Sequence, residues 1–204
     1  MKRLTNLALL LSILSLSTLA SGQDMLSKDD RNKAITSLKS SSAMLLESVK
    51  GLSPSQLNYK ADPESWSIAE CVEHLAISEK NIFGLVDMAL QSPSDPSLRA
   101  SLPFSDEEVV GFISDRSSKV KTQPPFEPKG NFGSFDGSLD EFKTLRKSNM
   151  KYIKKTKDDL RNHYFDFPFG KVDAYQVVMF MSGHTMRHTA QIKEVMTHDG
   201  FPTS

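Results

Sequence analysis

The chain has 204 residues, of which 38% are hydrophobic and twelve are Phe, a composition typical of a single globular domain with a sizeable apolar core. Lys and Arg together number 25, as do Asp and Glu, so the formal net charge is zero. A balanced chain lacks the electrostatic attraction for nucleic acid or for an anionic membrane surface, and we expect neither as a partner.

The N-terminus has the pattern of a signal peptide. A basic start at Lys2–Arg3 precedes an apolar run over Leu7–Leu19, and small residues follow at Ala20–Gly22. The run is shorter than the roughly 20 residues that a membrane-spanning helix needs. We therefore expect residues 1–22 to be removed on export to the periplasm or the extracellular space. The remaining domain, residues 23–204, would then have no stable membrane anchor.

Four long helices are predicted from apolar residues that recur at alternating spacings of three and four. The first extends from about Ser27 to Leu52. The second begins at a capping box, Ser67–Glu70, and continues to about Gln91. The third begins at a similar box at Ser138 and ends near Arg161. The fourth extends from about Asp173 to Gly200, and no alternating pattern predicts a strand of consequence.

A long crossover, about Ser92–Gly137, connects the second and third helices and is rich in Pro, Ser, Gly and Asp. Within it, Ser105–Asp115 predicts a short capped helix. A connection of this length allows two neighbouring helices to run parallel, and it can cover a site at one end of the bundle. We therefore predict an all-α fold, a four-helix bundle with a long crossover between helices 2 and 3.

Three histidines carry the main functional signal. His184 and His188 are four residues apart, so they share one face of the fourth helix with Cβ atoms about 6 Å apart. They occupy core positions where Leu or Ile is expected, and His74 lies on the inward side of the second helix. Because unpaired imidazoles in a core cost a few kcal/mol each, a bound divalent ion explains them better than packing does. His163 and His198 are interpreted as solvated or capping residues.

Cys71 and Trp66 lie close to His74 in the sequence. Cys71 is the only cysteine, so an intramolecular disulfide is excluded. A fourth metal ligand, a reactive thiol and a small buried apolar residue are all open for Cys71, and the last is favoured. Trp66 precedes the Ser67 cap, where an apolar residue commonly staples the helix entry, although its indole could instead line the mouth of the site.

The order and spacing of these motifs resemble the DinB-like superfamily, which includes the YfiT-type metal-dependent hydrolases. The resemblance spans about residues 28–202, and its motifs are Trp66–Glu70, His74–Leu75, His184–Ile192 and Gly200–Pro202. It implies a four-helix bundle, frequent dimerisation and a divalent ion, most often Zn²⁺ or Ni²⁺. The ligands that it implies are His74, His184 and His188. Many members are cytoplasmic, so the predicted signal peptide departs from the usual setting.

The reaction is less determined than the metal site. A divalent ion lowers the pKa of bound water and makes it a nucleophile for hydrolysis. Zincin helices place a Glu base directly after the first His, but Thr185 occupies that position here. Glu73 points about 100° away from His74 around the helix, and Glu70 is expected to be engaged in its cap. No catalytic residue is therefore assigned.

Metal-dependent hydrolysis of a small-molecule substrate is the leading hypothesis. The resemblance also implies thiol-dependent S-transfer or isomerisation as an alternative, but the thiol cosubstrates are cytosolic, so export counts against it. A non-catalytic metal-binding protein is a third hypothesis, from a different functional class.

Overall fold

The computed structural model describes residues 26–203, and the predicted signal peptide lies outside them. Four long helices form the predicted bundle: α1 (Lys28–Ser48), α3 (Ile68–Leu90), α5 (Phe135–Lys155) and α6 (Ala174–Met196). Two short helices, α2 (Pro54–Leu57) and α4 (Asp106–Ser114), accompany 3₁₀ turns at Pro96–Ser101 and Pro124–Phe126. Within the described range, no helix has the length and apolar character that crossing a membrane requires.

Capping boxes fix the starts of the helices that carry the site. Glu70 donates its backbone N–H to Ser67 Oγ at 3.2 Å, and its carboxylate accepts the Ser67 N–H at 2.8 Å. The predicted cap of α3 is therefore confirmed. Ser105 caps α4 in the same way, and Asp173 caps α6 with Gln176. Each cap satisfies backbone N–H groups that the helix itself leaves unpaired.

Helix α5 differs from its prediction at both ends. Its cap is Ser134, whose Oγ accepts the N–H of Gly137 at 3.0 Å, while Ser138 lies buried in the first turn. Gly137 permits this start because a Cβ there would collide with the carbonyl oxygen of Phe132. The helix ends at Lys155 rather than near Arg161. Its predicted end was wrong because buried Leu160, which continues the apolar pattern, lies beyond the helix.

A short antiparallel hairpin, which the sequence did not predict, leads the chain into α6. Strands β1 (Tyr164–Phe167) and β2 (Gly170–Asp173) pair with Tyr164 opposite Asp173. Their turn requires Gly170, whose φ of 139° suits a residue without a Cβ. The last residue of β2, Asp173, is also the cap of α6, so the hairpin fixes where that helix begins.

Helices α3 and α5 run parallel, which the long crossover between them allows. Glu79 of α3 faces Arg146 of α5. Further along in the same direction, the ring of Phe83, four residues after Glu79, packs against that of Tyr152, six residues after Arg146, at 5.2 Å between centroids. Each of these helices also packs against a second long helix, α3 against α6 and α5 against α1. Within the crossover, α4 packs so closely on α6 that a Cβ at Gly183 would lie 2.8 Å from Val110 O.

Arg161 ties together the N-terminal ends of three helices. Its guanidinium donates to Asp30 of α1 at 2.5 Å, to Asp106 of α4 at 2.7 Å and to Asp173 at 3.1 Å. The same group lies over the ring of Tyr175, 3.7 Å from the centroid. Because the three carboxylates lie at helix N-termini, they are also stabilised by the helix dipoles. This cluster holds α4 against the bundle.

A polar layer divides the apolar core into two halves. On one side the core includes one residue from each long helix: Leu38, Ile82, Ile153 and Met181. On the other side it includes Leu45, Cys71, Phe142 and Ile192. Between them, the polar layer consists of buried side chains from the same four helices: Ser41, Ser78, Glu79, Arg146, Asn149, Thr185 and Thr189. The predicted histidines lie at this level.

Arg146 joins the other three long helices from the centre of the polar layer. Its Nη1 donates to Leu38 O at 2.9 Å and to Ser41 Oγ at 3.0 Å, both on α1. Its Nη2 donates to Thr185 Oγ1 on α6 at 2.7 Å and to the carboxylate of Glu79 on α3. The pair is almost fully buried, so its hydrogen bonds must offset the desolvation of both charges.

Breaking this pair from one side should destabilise the fold strongly. We expect Arg146→Met to lower the free energy of unfolding by about 3–5 kcal/mol, because Glu79 is left as a buried, uncompensated charge. The double variant Arg146→Met/Glu79→Met should recover much of that loss, since it buries no charge. Urea denaturation of the metal-free protein measures both effects. The control, Lys143→Met, removes an exposed pair with Asp140 on the same helix and should change stability by less than about 1 kcal/mol. A single variant as stable as this control would contradict the assignment.

Candidate metal centre

The structure brings the three predicted histidines together at the level of the polar layer. His74 lies in the second turn of α3, and His184 and His188 lie on successive turns of α6. The ring centroids are 4.4 to 5.0 Å apart, and one ligand nitrogen from each residue lies within 4.8 Å of the others. Three imidazoles from two helices therefore converge on one point.

Hydrogen bonds fix the tautomers of two of these imidazoles. His74 Nδ1 lies 2.7 Å from the carbonyl oxygen of Phe126, which can only accept, so Nδ1 carries the proton. His188 Nδ1 lies 2.9 Å from Gln191 Oε1 and donates to it in the same way. In the neutral rings, Nε2 of both residues then presents a lone pair, as a metal ligand requires.

The distances suit a small divalent ion. Nε2 of His74 and Nε2 of His184 are 3.2 Å apart. Two ligands of a tetrahedral Zn²⁺, each at about 2.0–2.1 Å, lie about 3.3–3.4 Å from each other. The two nitrogens are thus already separated by nearly one edge of such a tetrahedron, and the residues fit the ion that the sequence predicted.

Burial keeps the three histidines in the neutral form that binds metal. Loss of solvent lowers the pKa of His74 below its ordinary value, although the hydrogen bond to Phe126 opposes this shift. Burial lowers the pKa of His184 and of His188 much further, and the neighbouring imidazoles add to both shifts because two positive rings so close would repel. At neutral pH the three rings are therefore uncharged, and an arriving cation meets no positively charged imidazolium.

Three aromatic rings from different parts of the chain surround the histidines, and we call them the aromatic collar. The ring of Trp66 lies 4.8 Å from His74 and 6.1 Å from His188. Phe126 of the crossover lies 6.4 Å from His74, and Phe180 of α6 stacks on His184 at 6.0 Å. All three rings are half-buried, so any small molecule that approaches the centre between them meets apolar surface.

The structure places Trp66 and Cys71, whose roles the sequence left open, in different environments. Trp66 packs against the apolar half of the core that contains Cys71 and also lies on the histidines, so its indole contributes to both core and site. Cys71 is fully buried, and this burial raises the pKa of its thiol to about 12. A protonated thiol in an apolar cluster is a packing residue, as favoured, rather than a nucleophile or a ligand.

The nearby carboxylates and Thr185 are engaged in structural contacts. Glu70 caps α3 and pairs with Lys60 at 2.8 Å. Glu73 faces away from the histidines and accepts the backbone N–H groups of Lys129 and Asn131 at 3.0 and 2.7 Å. Thr185, in the position of a zincin base, is buried in the polar layer. Among the described residues, no carboxylate joins the three histidines, so the structure supplies no evident general base.

His163 and His198 lie apart from this cluster and anchor loops. His163 Nδ1 donates to Ser92 O at 2.7 Å, which ties the segment after α5 to the end of α3. His198 Nδ1 accepts from the hydroxyl of Tyr59 at 2.5 Å. Both contacts are more specific than the solvated or capping roles that the sequence indicated.

Two residues that contact the histidines, Gln191 and Phe126, were not assigned a role by the sequence analysis. Gln191 was part of the motif that resembled the superfamily, and its position three residues after His188 placed it on the same face of α6. Phe126 acts through its backbone carbonyl, which any residue provides. The spacing of three residues between His188 and Gln191 could have predicted the Gln191 contact, but no sequence feature predicts the contact of the Phe126 carbonyl with His74.

A family model for the DinB superfamily matches residues 37–192, a range that includes all three histidines. The chain belongs to the DinB superfamily. The uncharacterized protein YuaE of Bacillus subtilis (strain 168) is 28% identical to it over 149 residues, which are 72% of this chain and 87% of YuaE. The resemblance that the sequence motifs indicated is thereby confirmed.

A solved structure shares the fold of this DinB-superfamily chain. YfiT from Bacillus subtilis superposes with a TM-score of 0.55 and 20% identity, over 87% of this chain and 91% of YfiT. YfiT is described as "a probable metal-dependent hydrolase with an unusual four-helix bundle topology". At this identity the likeness establishes the fold, and it confirms the predicted four-helix bundle.

Single histidine variants test which residues bind the ion. We expect His74→Ala, His184→Ala and His188→Ala each to abolish stoichiometric Zn²⁺ binding, because two imidazoles hold a labile ion poorly. The matched controls His163→Ala and His198→Ala should retain one ion per chain. Elemental analysis after dialysis gives the stoichiometry for all five variants. Equal metal content in the wild type and in His184→Ala would mean that the ion lies elsewhere.

Proposed function

We propose that this protein is a metal-dependent hydrolase that acts on a small-molecule substrate at the three-histidine centre. The observation that carries the proposal is the convergence of three neutral imidazoles, two of them with Nδ1 protons already committed to acceptors. The description of YfiT as a probable metal-dependent hydrolase supports the same chemistry. Imidazole donors suit Zn²⁺ and Ni²⁺ among the available divalent ions, so we propose one of these.

The chain would hold the ion and shape its surroundings. When bound, the ion would supply a Lewis acid and lower the pKa of water at its open position. Nε2 of His74, His184 and His188 would bind it, while Phe126 O and Gln191 hold two of the rings in place. The aromatic collar would exclude bulk water and strengthen electrostatic interactions at the centre.

The absence of a free carboxylate among the described residues near the centre favours esters over amides. Glu70 and Glu73 are engaged elsewhere, so no carboxylate within residues 26–203 is placed to protonate a departing amine. General acid–base catalysis typically contributes about 10²–10⁴-fold, and an amine needs such help to leave. An alcohol or phenol of low pKa leaves as the anion without it. We therefore propose uncharged esters with an acidic leaving group and an apolar portion that contacts the aromatic collar.

Matched substrates test this proposal directly. With the Zn²⁺- or Ni²⁺-loaded protein, we expect aryl esters to be hydrolysed at rates that fall as the pKa of the phenol rises, because the leaving group departs unprotonated. The anilide with the same acyl group should give no measurable turnover. Product release by absorbance measures both, with His184→Ala as the inactive variant and His163→Ala as the active control.

Each other outcome points to a different function. Equal rates on the ester and the anilide would contradict the absence of a general acid. Conjugation of a thiol without hydrolysis would favour the S-transferase hypothesis. One tightly bound ion with no turnover on any of these substrates would favour a non-catalytic metal-binding protein.

We also propose that the protein is exported after cleavage near Gly22, on the basis of the basic, apolar and small-residue segments of residues 1–22. Mass spectrometry of the protein from its native host should give a mature chain that begins at about Gln23. A soluble cytoplasmic chain with an intact Met1 would contradict export and would restore thiol cosubstrates as available partners.

A further inference from the structure

Gln191 links one predicted metal ligand to the crossover. Its Oε1 accepts the Nδ1 proton of His188 at 2.9 Å and also accepts from Nη1 of Arg116 at 3.3 Å. Gln191 lies one turn after His188 on α6, whereas Arg116 lies just beyond the end of α4, 75 positions earlier in the chain. A single side-chain oxygen therefore receives two donors from distant parts of the structure.

Arg116 is itself held in one orientation. Its Nε and Nη2 donate to the two carboxylate oxygens of Glu194 at 2.8 and 2.6 Å, a bidentate pair. The Arg116 side chain is 20% exposed, although Glu194 is 57% exposed. With two of its nitrogens engaged by the carboxylate, the guanidinium directs its remaining Nη1 towards Gln191.

These contacts determine which end of the Gln191 amide faces His188. Rotation of the amide by 180° would place its NH₂ group against Nη1 of Arg116, which can only donate. The oxygen must therefore face Arg116, and His188 Nδ1, which lies 2.9 Å from the same oxygen, carries the proton that it donates. Nε2 of His188 is then left unprotonated and directed at the centre where the other two imidazoles converge.

We propose that Gln191, oriented by Arg116, is a positioning residue that sets the tautomer and ring orientation of His188 and thereby the metal affinity of the site. This inference rests on the metal centre of the proposed function but not on hydrolysis. Outer contacts of this kind typically change metal affinity by about 10–100-fold when they are removed. The ion pair between Arg116 and Glu194 would then tune a site that neither residue touches.

The direction in which metal affinity changes on replacing Arg116 distinguishes a positioning role from a purely electrostatic one. Arg116 and Arg187 both place positive charge near His188. Removing either charge alone would favour a bound cation and tighten its binding. Arg187 also contacts the crossover, through the carbonyl oxygens of Asp115 and Ser118, but it makes no contact with Gln191. It is therefore a matched control for loss of charge and for loosening of the crossover.

The test compares Zn²⁺ affinities by competition with a chromophoric chelator. We expect Gln191→Leu to weaken binding about 10–100-fold, and Gln191→Glu, which keeps an oxygen acceptor, to restore affinity to within a few-fold of wild type. Arg116→Met should weaken binding several-fold, and the double variant Arg116→Met/Gln191→Leu should be no weaker than Gln191→Leu. Arg187→Met should bind Zn²⁺ as tightly as wild type or tighter.

The visible absorption of the Co²⁺-loaded protein gives a second readout, since a merely structural role would not alter the ligand field. Gln191→Leu should shift or broaden the bands, and Gln191→Glu should restore them.

Wild-type affinity and spectrum in Gln191→Leu, or tighter binding in Arg116→Met, would overturn the inference and leave the metal centre standing. Failure of the wild type itself to bind Zn²⁺ or Co²⁺ would overturn the proposed function as well. If Gln191→Leu does not fold, the Zn²⁺ affinity of Arg116→Met tests the inference by itself, because Arg116 lies outside the core and its replacement should not prevent folding.

Discussion

The buried ion pair between Arg146 and Glu79 is the constraint on which the bundle and its site depend. A guanidinium taken out of water must find its partners inside the protein, and Arg146 finds them on α1, α3 and α6. These partners fix the relative heights of the helices at one level. Thr185, which accepts from Arg146, is adjacent to His184, and Glu79 lies five residues after His74. The contacts that align the helices along the bundle axis therefore also fix the positions of the histidines.

The crossover completes the site that the helices begin. Phe126 O accepts the Nδ1 proton of His74, and Glu73 holds the backbone of the same segment through Lys129 and Asn131. On the other side, the contacts of Arg116 reach His188 through Gln191. Although most of this segment has no regular structure, its backbone and side chains determine where two imidazoles carry their protons. The long connection therefore contributes to the geometry of the three-histidine centre as well as to the parallel packing of α3 and α5.

Local signals in the sequence predicted most of the fold and the three histidines. The capping boxes at Ser67 and Ser105 predicted the correct helix starts because both partners of each cap lie within one turn. The sequence also placed His184 and His188 on one face of a helix, because they too are separated by about one turn. Arg146 was missed because its core stripe, Phe142–Arg146–Asn149–Ile153, includes two polar residues and so interrupts the apolar periodicity. The contacts of Phe126 and Arg116 join segments more than 50 residues apart, and no local spacing encodes them.

His74, His184 and His188 are proposed to bind one divalent ion through their Nε2 atoms. A crystal structure of the Zn²⁺-loaded protein, with anomalous data collected on both sides of the zinc absorption edge, would show whether they do. We expect a single anomalous peak at about 2.0–2.1 Å from each of the three Nε2 atoms. The Nδ1 atoms of His74 and His188 should still contact Phe126 O and Gln191. A peak elsewhere on the chain, or three histidines with no ion between them under saturating zinc, would contradict this proposal.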